Sequence, residues 1–257
     1  MPRTRWSAPR ASGATPRGVM HRRTGASVFA KVSRTMPNAH VTETPGGSAP
    51  PAVRRMAVLI SGRGSNLQAI IDAIAVRRLD ATIAVVISNR TDAPGLARAQ
   101  AAGVEAMYLD PRSCPGRDAF DRAIGEALRA RDVSLVCLAG FMRRVGPPLL
   151  DAFPDRILNI HPSLLPAFPG LDAQRQALVH GVRISGATVH LVTPDLDAGP
   201  IVMQAAVPVL DDDTVETLSA RILAEEHRLY PEAIRIVLDG GWSIVGRRFR
   251  QQGPGRQ

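Results

Sequence analysis

From Met56 onward, apolar residues come in short unbroken runs, each separated from the next by a stretch with helical spacing. MAVLIS, 56–61, predicts a buried strand that runs into a glycine-rich turn. Residues 65–76 repeat apolar positions at Leu67, Ile70, Ile71 and Ile74, the spacing of one helix face. The alternation continues: strand 81–88, helix 93–103 closed by Gly103, strand 106–110, amphipathic helix 117–131, and strands at 134–140 and 156–160. Continuous apolar strands alternating with helices predict an α/β fold, an open and mostly parallel twisted sheet with helices on both faces. The texture then changes. Residues 184–192 and 199–209 read as two longer strands joined by TPDLDA, a C-terminal antiparallel addition, and a long helix follows over 214–238.

Residues 1–55 are rich in Pro, Gly, Ser, Thr, Ala and Arg and show no sustained period. Such a stretch buries too little apolar surface to offset its ordering entropy. It reads as a disordered basic leader or a mis-assigned start, with a transit peptide as the sharper alternative. The folded domain is expected over 56–249, with a frayed tail over 250–257.

Charge sharpens this division. The net charge is +9, and the leader holds ten basic residues against Glu43 alone. The remainder carries 22 basic and 22 acidic residues, so no global field attracts a polyanion and nucleic acid is not an expected partner. No apolar run reaches the roughly 18 residues of a membrane helix, so the chain is expected to be soluble and cytoplasmic. Cys114 and Cys137 suggest neither a disulfide framework nor a zinc site.

Three segments carry candidate chemistry. The turn SGRGSN, Ser61 to Asn66, links the first strand to the first helix. Gly62 and Gly64 permit a tight turn, and Ser65 and Asn66 open a helix whose N-terminus favours phosphate. The third glycine of the dinucleotide fingerprint is replaced by Leu67, and the Walker lysine is missing. A purely structural turn explains the segment as well as a phosphate cradle does. In LNIHPSLLP, Asn159 and His161 stand at i and i+2, on one face of a strand at its C-terminal end. An imidazole moves protons and an amide N–H steadies an oxyanion, the needs of acyl transfer. Alone, the pair fits a hydrogen-bonded histidine ahead of a proline-defined loop better. In DLDAGP, Asp195 or Asp197 could fix the imidazole or merely cap the turn. His190 lies in a strand that could face either way, and His180 and His227 lie on helices. No histidine pair has helical ligand spacing, so no metal is expected.

These segments occur in order with a fourth, LAGFMRRV, and with ISGRGSNLQAIIDA, ILNIHPSLLPAFPGL, RQAL, TVHLVT, LDAGPI and EEHRLYP. Together they resemble the folate-dependent phosphoribosylglycinamide formyltransferase family, over about Met56 to Asp239. The resemblance implies a Rossmann-like formyltransferase fold. It also implies formyl transfer from 10-formyltetrahydrofolate to the amine of glycinamide ribonucleotide, in purine synthesis. The folate is then a co-substrate, with no bound cofactor, in a monomer or homodimer. Asn159, His161 and Asp197 would be catalytic. Gly64, Ser65 and Asn66 would hold the phosphoribosyl end, with Leu223, Ala224, Glu225 and Glu226 nearby. Arg117, Met142, Arg143, Arg144, Val145, Asn159, Thr193, Pro194, Asp195, Leu196 and Asp197 would line the folate site. Asp172, Ala173 and Gln174 depart from the His-Thr-His of some relatives, and Ala198 from a frequent glycine.

The nearest alternative is a 10-formyltetrahydrofolate hydrolase, which carries a folded regulatory domain ahead of the catalytic one. Methionyl-tRNA formyltransferase needs a further C-terminal domain. A phosphate- or folate-binding protein without chemistry is a third class.

Overall fold

A computed structural model describes residues 44–45 and 54–252. Ten strands form one mixed sheet in the order β1-β9-β10-β8-β7-β6-β5-β2-β3-β4. The parallel half holds β2 (Arg55–Ile60), β3 (Thr82–Ser88), β4 (Ala106–Tyr108), β5 (Leu135–Leu138) and β6 (Ile157–His161). Helices α1 (Ser65–Ala75), α2 (Pro94–Ala101), α3 (Arg117–Arg129) and α4 (Pro147–Ala152) connect its strands. From β2 the chain winds outward to β4, then returns to β5 on the other side of β2. The C-terminal ends of β2 and β5 therefore flank a topological switch, the crevice where open α/β sheets bind ligands.

The alternation in β2 shows why both faces of the sheet are covered. Met56, Val58 and Ile60 pack with α1 residues Leu67 and Ile70 and with the long helix α6 (Val215–Asp239). Ala57 and Leu59 pack on the other face, with Phe120, Ile124 and Leu128 of α3 and Leu149 of α4. A period of two feeding two cores is the signature of a doubly covered strand. Cys137 belongs to the first core, and burial pushes its thiol pKa up, away from reactivity.

Beyond β6 the sheet turns antiparallel. β7 (Ile184–Leu191) pairs with β6, and β8 (Ile201–Pro208) pairs with β7. This is the addition that the sequence predicts. Thr214 caps α6 in a reciprocal pair with Thr217. Within α6, the Tyr230 hydroxyl donates to the Leu138 and Leu158 carbonyls at 2.9 and 3.1 Å, at the end of β5 and the start of β6. Tyr230→Phe removes that buried donor and is expected to cost about 1–3 kcal/mol, read from the denaturant midpoint.

Several elements lie outside the sequence expectation. α4 begins on Pro147, a residue suited to a first helical position. α5 (Ala173–Val179) and the hairpin of β9 (Trp242–Val245) with β10 (Arg248–Gln251) were also unforeseen. Trp242 is buried, donates to the Val237 carbonyl and stacks on Phe249, which extends order through Gln251 rather than ending it at Phe249. At the other end β2 starts at Arg55, and Arg54 pairs with Asp239. β1 (Thr44–Pro45) pairs with β9 through its backbone. The rest of the leader expected over 1–55 lies outside the described residues. No helix among the described residues is long and apolar enough to cross a membrane.

Candidate active site

Asn159 and His161 share a face at the end of β6. The antiparallel register sets His190 opposite Asn159, and Thr188 opposite His161. Paired residues across two strands point to the same side, so one turn of the sheet delivers four polar side chains to one place. His161 and His190 are buried. Asp197 reaches them from the loop after β7, with Oδ2 3.5 Å from His161 Nδ1 and Oδ1 3.7 Å from His190 Nε2. Of the two aspartates left open by the bare spacing, Asp197 is the one beside the imidazoles. Its own φ is +49°, and its Oδ2 accepts the Gly170 amide at 2.7 Å. The carboxylate thus ties the β7–β8 loop to the loop after β6.

Each imidazole has a defined neighbourhood. His161 Nε2 donates to the Phe168 carbonyl at 2.9 Å while Nδ1 faces Asp197. His190 Nδ1 donates to the Leu191 carbonyl, which leaves Nε2 to accept from the Asn159 amide at 3.2 Å. That contact fixes the orientation of the Asn159 amide and leaves its second N–H to point elsewhere. Burial pushes the His190 pKa down, with Asp197 opposing and His161 reinforcing that shift. Sequence reasoning set His190 aside. The signal that reaches it is the register with β6, which alternation along one strand cannot supply.

The depressed His190 pKa has a consequence for stability. Below 6.5 the unfolded imidazole takes up a proton that the folded one resists, so His190 costs stability as pH falls through that window. Glu226 and Asp121, raised by burial, contribute with the opposite sign, and His227, lowered by burial, with the same sign. The difference between wild type and His190→Gln isolates the imidazole: the wild type is expected to lose more thermal midpoint between about pH 7 and pH 5.

The cluster lies in a cavity of about 660 Å³. Its walls are Met142 to Val145 after β5 and Thr193 to Asp197 after β7, with Asn159, His161 and His190 at the base. Met142, Leu171 and Leu196 are exposed large apolar side chains at this cavity. Asp172 and Gln174, two of the departures noted above, also line it. Arg117 is not part of that lining; its Nε lies beside Gly146, at the end of the Met142 to Val145 wall. His161, His190 and Asp197 converge, yet one nitrogen of each ring is spent on a carbonyl. Among the described residues no group of histidines, cysteines and carboxylates has a metal-holding arrangement.

A second cavity, of about 340 Å³, opens at the start of α1. Ser65, Gln68, Asp72, Arg78, Arg98 and His227 line it. Gly64, the residue before α1, has φ +71° and touches Gly95 so closely that a Cβ would stand 2.8 Å from the Gly95 Cα. No side chain caps α1, so its first amides are not taken by one. Asn66 turns inward instead and donates to Glu226 at 2.8 Å, leaving Asn66 Oδ1 buried without a partner. Burial pushes the Glu226 pKa up. Leu223, Ala224 and Glu225 line neither cavity, and Glu225 pairs with Arg228. Arg98 and His227 were not singled out for this place, since only the packing of α2 and α6 on α1 brings them there.

A family model described as formyl transferase matches residues 54–234, from β2 through most of α6. The chain belongs to the formyl transferase family. It is 45% identical over 183 residues to the phosphoribosylglycinamide formyltransferase of Escherichia coli, covering 71% of this chain and 86% of that protein. A solved structure of glycinamide ribonucleotide transformylase 1 from Symbiobacterium toebii is 60% identical, with a TM-score of 0.77 over 80% of this chain and 98% of that one. The trifunctional purine biosynthetic protein adenosine-3 of Bos taurus is 47% identical over 193 residues, 75% of this chain and 19% of that protein. This formyl transferase spans about a fifth or less of the length of its trifunctional relatives. The residues lining the two cavities described above all lie inside the matched segment.

Proposed function

We propose that this formyl transferase moves the formyl group of 10-formyltetrahydrofolate onto the amine of glycinamide ribonucleotide, as a cytoplasmic monomer or homodimer serving purine synthesis. The observation that carries the reading is the convergence of Asn159, His161 and Asp197 at the base of the larger cavity, with a cation-lined second cavity at the α1 N-terminus. The acceptor is the one in the names of the relatives above, and the folate donor follows from the resemblance carried by the sequence motifs.

In this reading the folate occupies the larger cavity, against Met142 to Val145 and Thr193 to Asp197. The phosphate rests on the amides of Gly64 to Asn66, with Arg98 as a cationic partner, the His227 imidazole beside it, and Glu226 toward the ribose or glycinamide. The amine attacks the formyl carbon and a tetrahedral oxyanion forms. The second N–H of Asn159 and the His161 imidazole serve that oxygen, once His161 Nε2 turns from the Phe168 carbonyl to the substrate. The attacking amine then loses a proton and N10 gains one as the formyl carbon–N10 bond breaks; His161 moves that proton between them, and Asp197 holds the ring that carries it. His190 acts through Asn159 as a positioning residue. Folate is consumed as co-substrate, so these residues need no resident cofactor for the transfer. Holding both substrates side by side supplies much of the acceleration, since effective molarities reach about 10⁵ M or more.

Incubating the full chain with both substrates tests the reading. Formylated glycinamide ribonucleotide and tetrahydrofolate are expected in equal amounts. Absence of the formylated ribonucleotide contradicts it.

A further inference from the structure

The wall Met142 to Val145 hangs between two buried polar side chains that the reaction does not use. At its start the Met142 amide donates to Ser61 Oγ at 2.8 Å, and Ser61 Oγ donates to Asn89 Oδ1 at 2.5 Å. The Ser61 amide also donates to the Gly140 carbonyl. At its end the Gly146 amide donates to Asp121 Oδ2 at 2.6 Å. Asp121 is a carboxyl on α3 with 2% of its surface exposed, raised in pKa mainly by burial. A carboxyl removed from water costs free energy that one amide bond does not fully return. An apolar side chain there would leave the buried Gly146 amide without an acceptor, so the carboxyl is tied to the end of this wall.

The geometry between the two pins is tight. A Cβ at Gly146 would stand 2.8 Å from Asp121 Oδ2 and 3.3 Å from Arg117 Nε. The Arg143 guanidinium lies 4.9 Å over the ring of Phe120, the neighbour of Asp121 on α3. The intervening residues Met142 to Val145 all face the larger cavity.

We infer that Asp121 and Ser61 are positioning residues that hold this wall pre-formed for the folate co-substrate. The inference rests on the assignment of the larger cavity to folate. A loop fixed in its bound shape loses no further conformational freedom when the ligand arrives, and that saving appears as affinity. The acceptor oxygen, not the charge, does the holding.

The test is steady-state kinetics on the full chain with each substrate varied in turn. Asp121→Ala is expected to raise KM for 10-formyltetrahydrofolate about tenfold, as loss of one buried hydrogen bond implies. KM for glycinamide ribonucleotide should move less than about twofold, because the α1 turn makes no contact with Asp121. Asp121→Asn retains an acceptor oxygen and should recover most of the loss. Ser61→Ala, whose side chain is small enough to leave the fold intact, should raise the folate KM in the same direction. Met142→Ala, on the wall itself, reports whether the wall meets folate at all. If Met142→Ala shifts the folate KM while Asp121→Ala and Ser61→Ala do not, the positioning role is wrong and the folate assignment stands. If Met142→Ala leaves it unmoved, the assignment itself fails. Equal rises in both KM values, or no rescue by Asp121→Asn, also overturn the positioning role.

Discussion

His161→Ala is expected to lower kcat by about 10²- to 10⁴-fold with little change in either KM, the usual range for loss of a positioned acid–base group. The reasoning is local. His161 is the side chain at the cavity base that has both a carboxylate at Nδ1 and a rotatable bond partner at Nε2. Removing it leaves Asn159 to face the developing oxyanion alone, and the remaining imidazole, His190, is held between the Leu191 carbonyl and the Asn159 amide. Affinity for the folate is set by the walls, which alanine does not touch. Single-turnover measurements with both substrates saturating check the prediction. A binding protein without chemistry would show no such drop, because it would have no turnover to lose.

Gly199→Ala is expected to cost about 3 kcal/mol or more of stability, the upper range for forced overpacking. A Cβ at Gly199 would stand 1.8 Å from the Leu191 carbonyl oxygen, a separation no side chain tolerates. Leu191 closes β7, and its carbonyl is also the acceptor for His190 Nδ1. Gly199 follows Asp197 by two residues. The clash therefore reaches both the carboxylate and the second imidazole of the cluster. Activity is expected to fall together with the thermal midpoint, unlike in His161→Ala, where the midpoint is expected to hold. Comparing the two variants by calorimetry and by turnover separates damage to the scaffold from damage to the chemistry.

Much of this arrangement is legible in the chain. β2 alternates between two cores, and both sets of apolar residues appear as one unbroken run because both faces are buried. α1 and α6 show their apolar stripe directly. α4 escapes because six residues beginning with two prolines read as loop, and α5 because its seven residues are too short for a period to emerge. β9 and β10 are four residues each and are held by the burial of Trp242, a tertiary event. The site divides in the same way. Asn159 and His161 are two apart on one strand, a local fact. His190 and Asp197 join them only through the β6–β7 pairing and a loop with a left-handed residue, which are not local. Arg98 and His227 come from two other helices and carry no spacing signal at all. Arg117 is expected in the folate site by resemblance alone, and its Nε lies beside Gly146, at the end of the Met142 to Val145 wall.

The central claim is that the formyl group goes to an amine rather than to water. It is tested most directly by measuring formate and formylated ribonucleotide together, from 10-formyltetrahydrofolate with and without glycinamide ribonucleotide. Tetrahydrofolate formation that depends on the ribonucleotide and matches the formylated product, with formate at background, is the expected result. Formate released at the same rate with and without the ribonucleotide would contradict the account and make the protein a hydrolase.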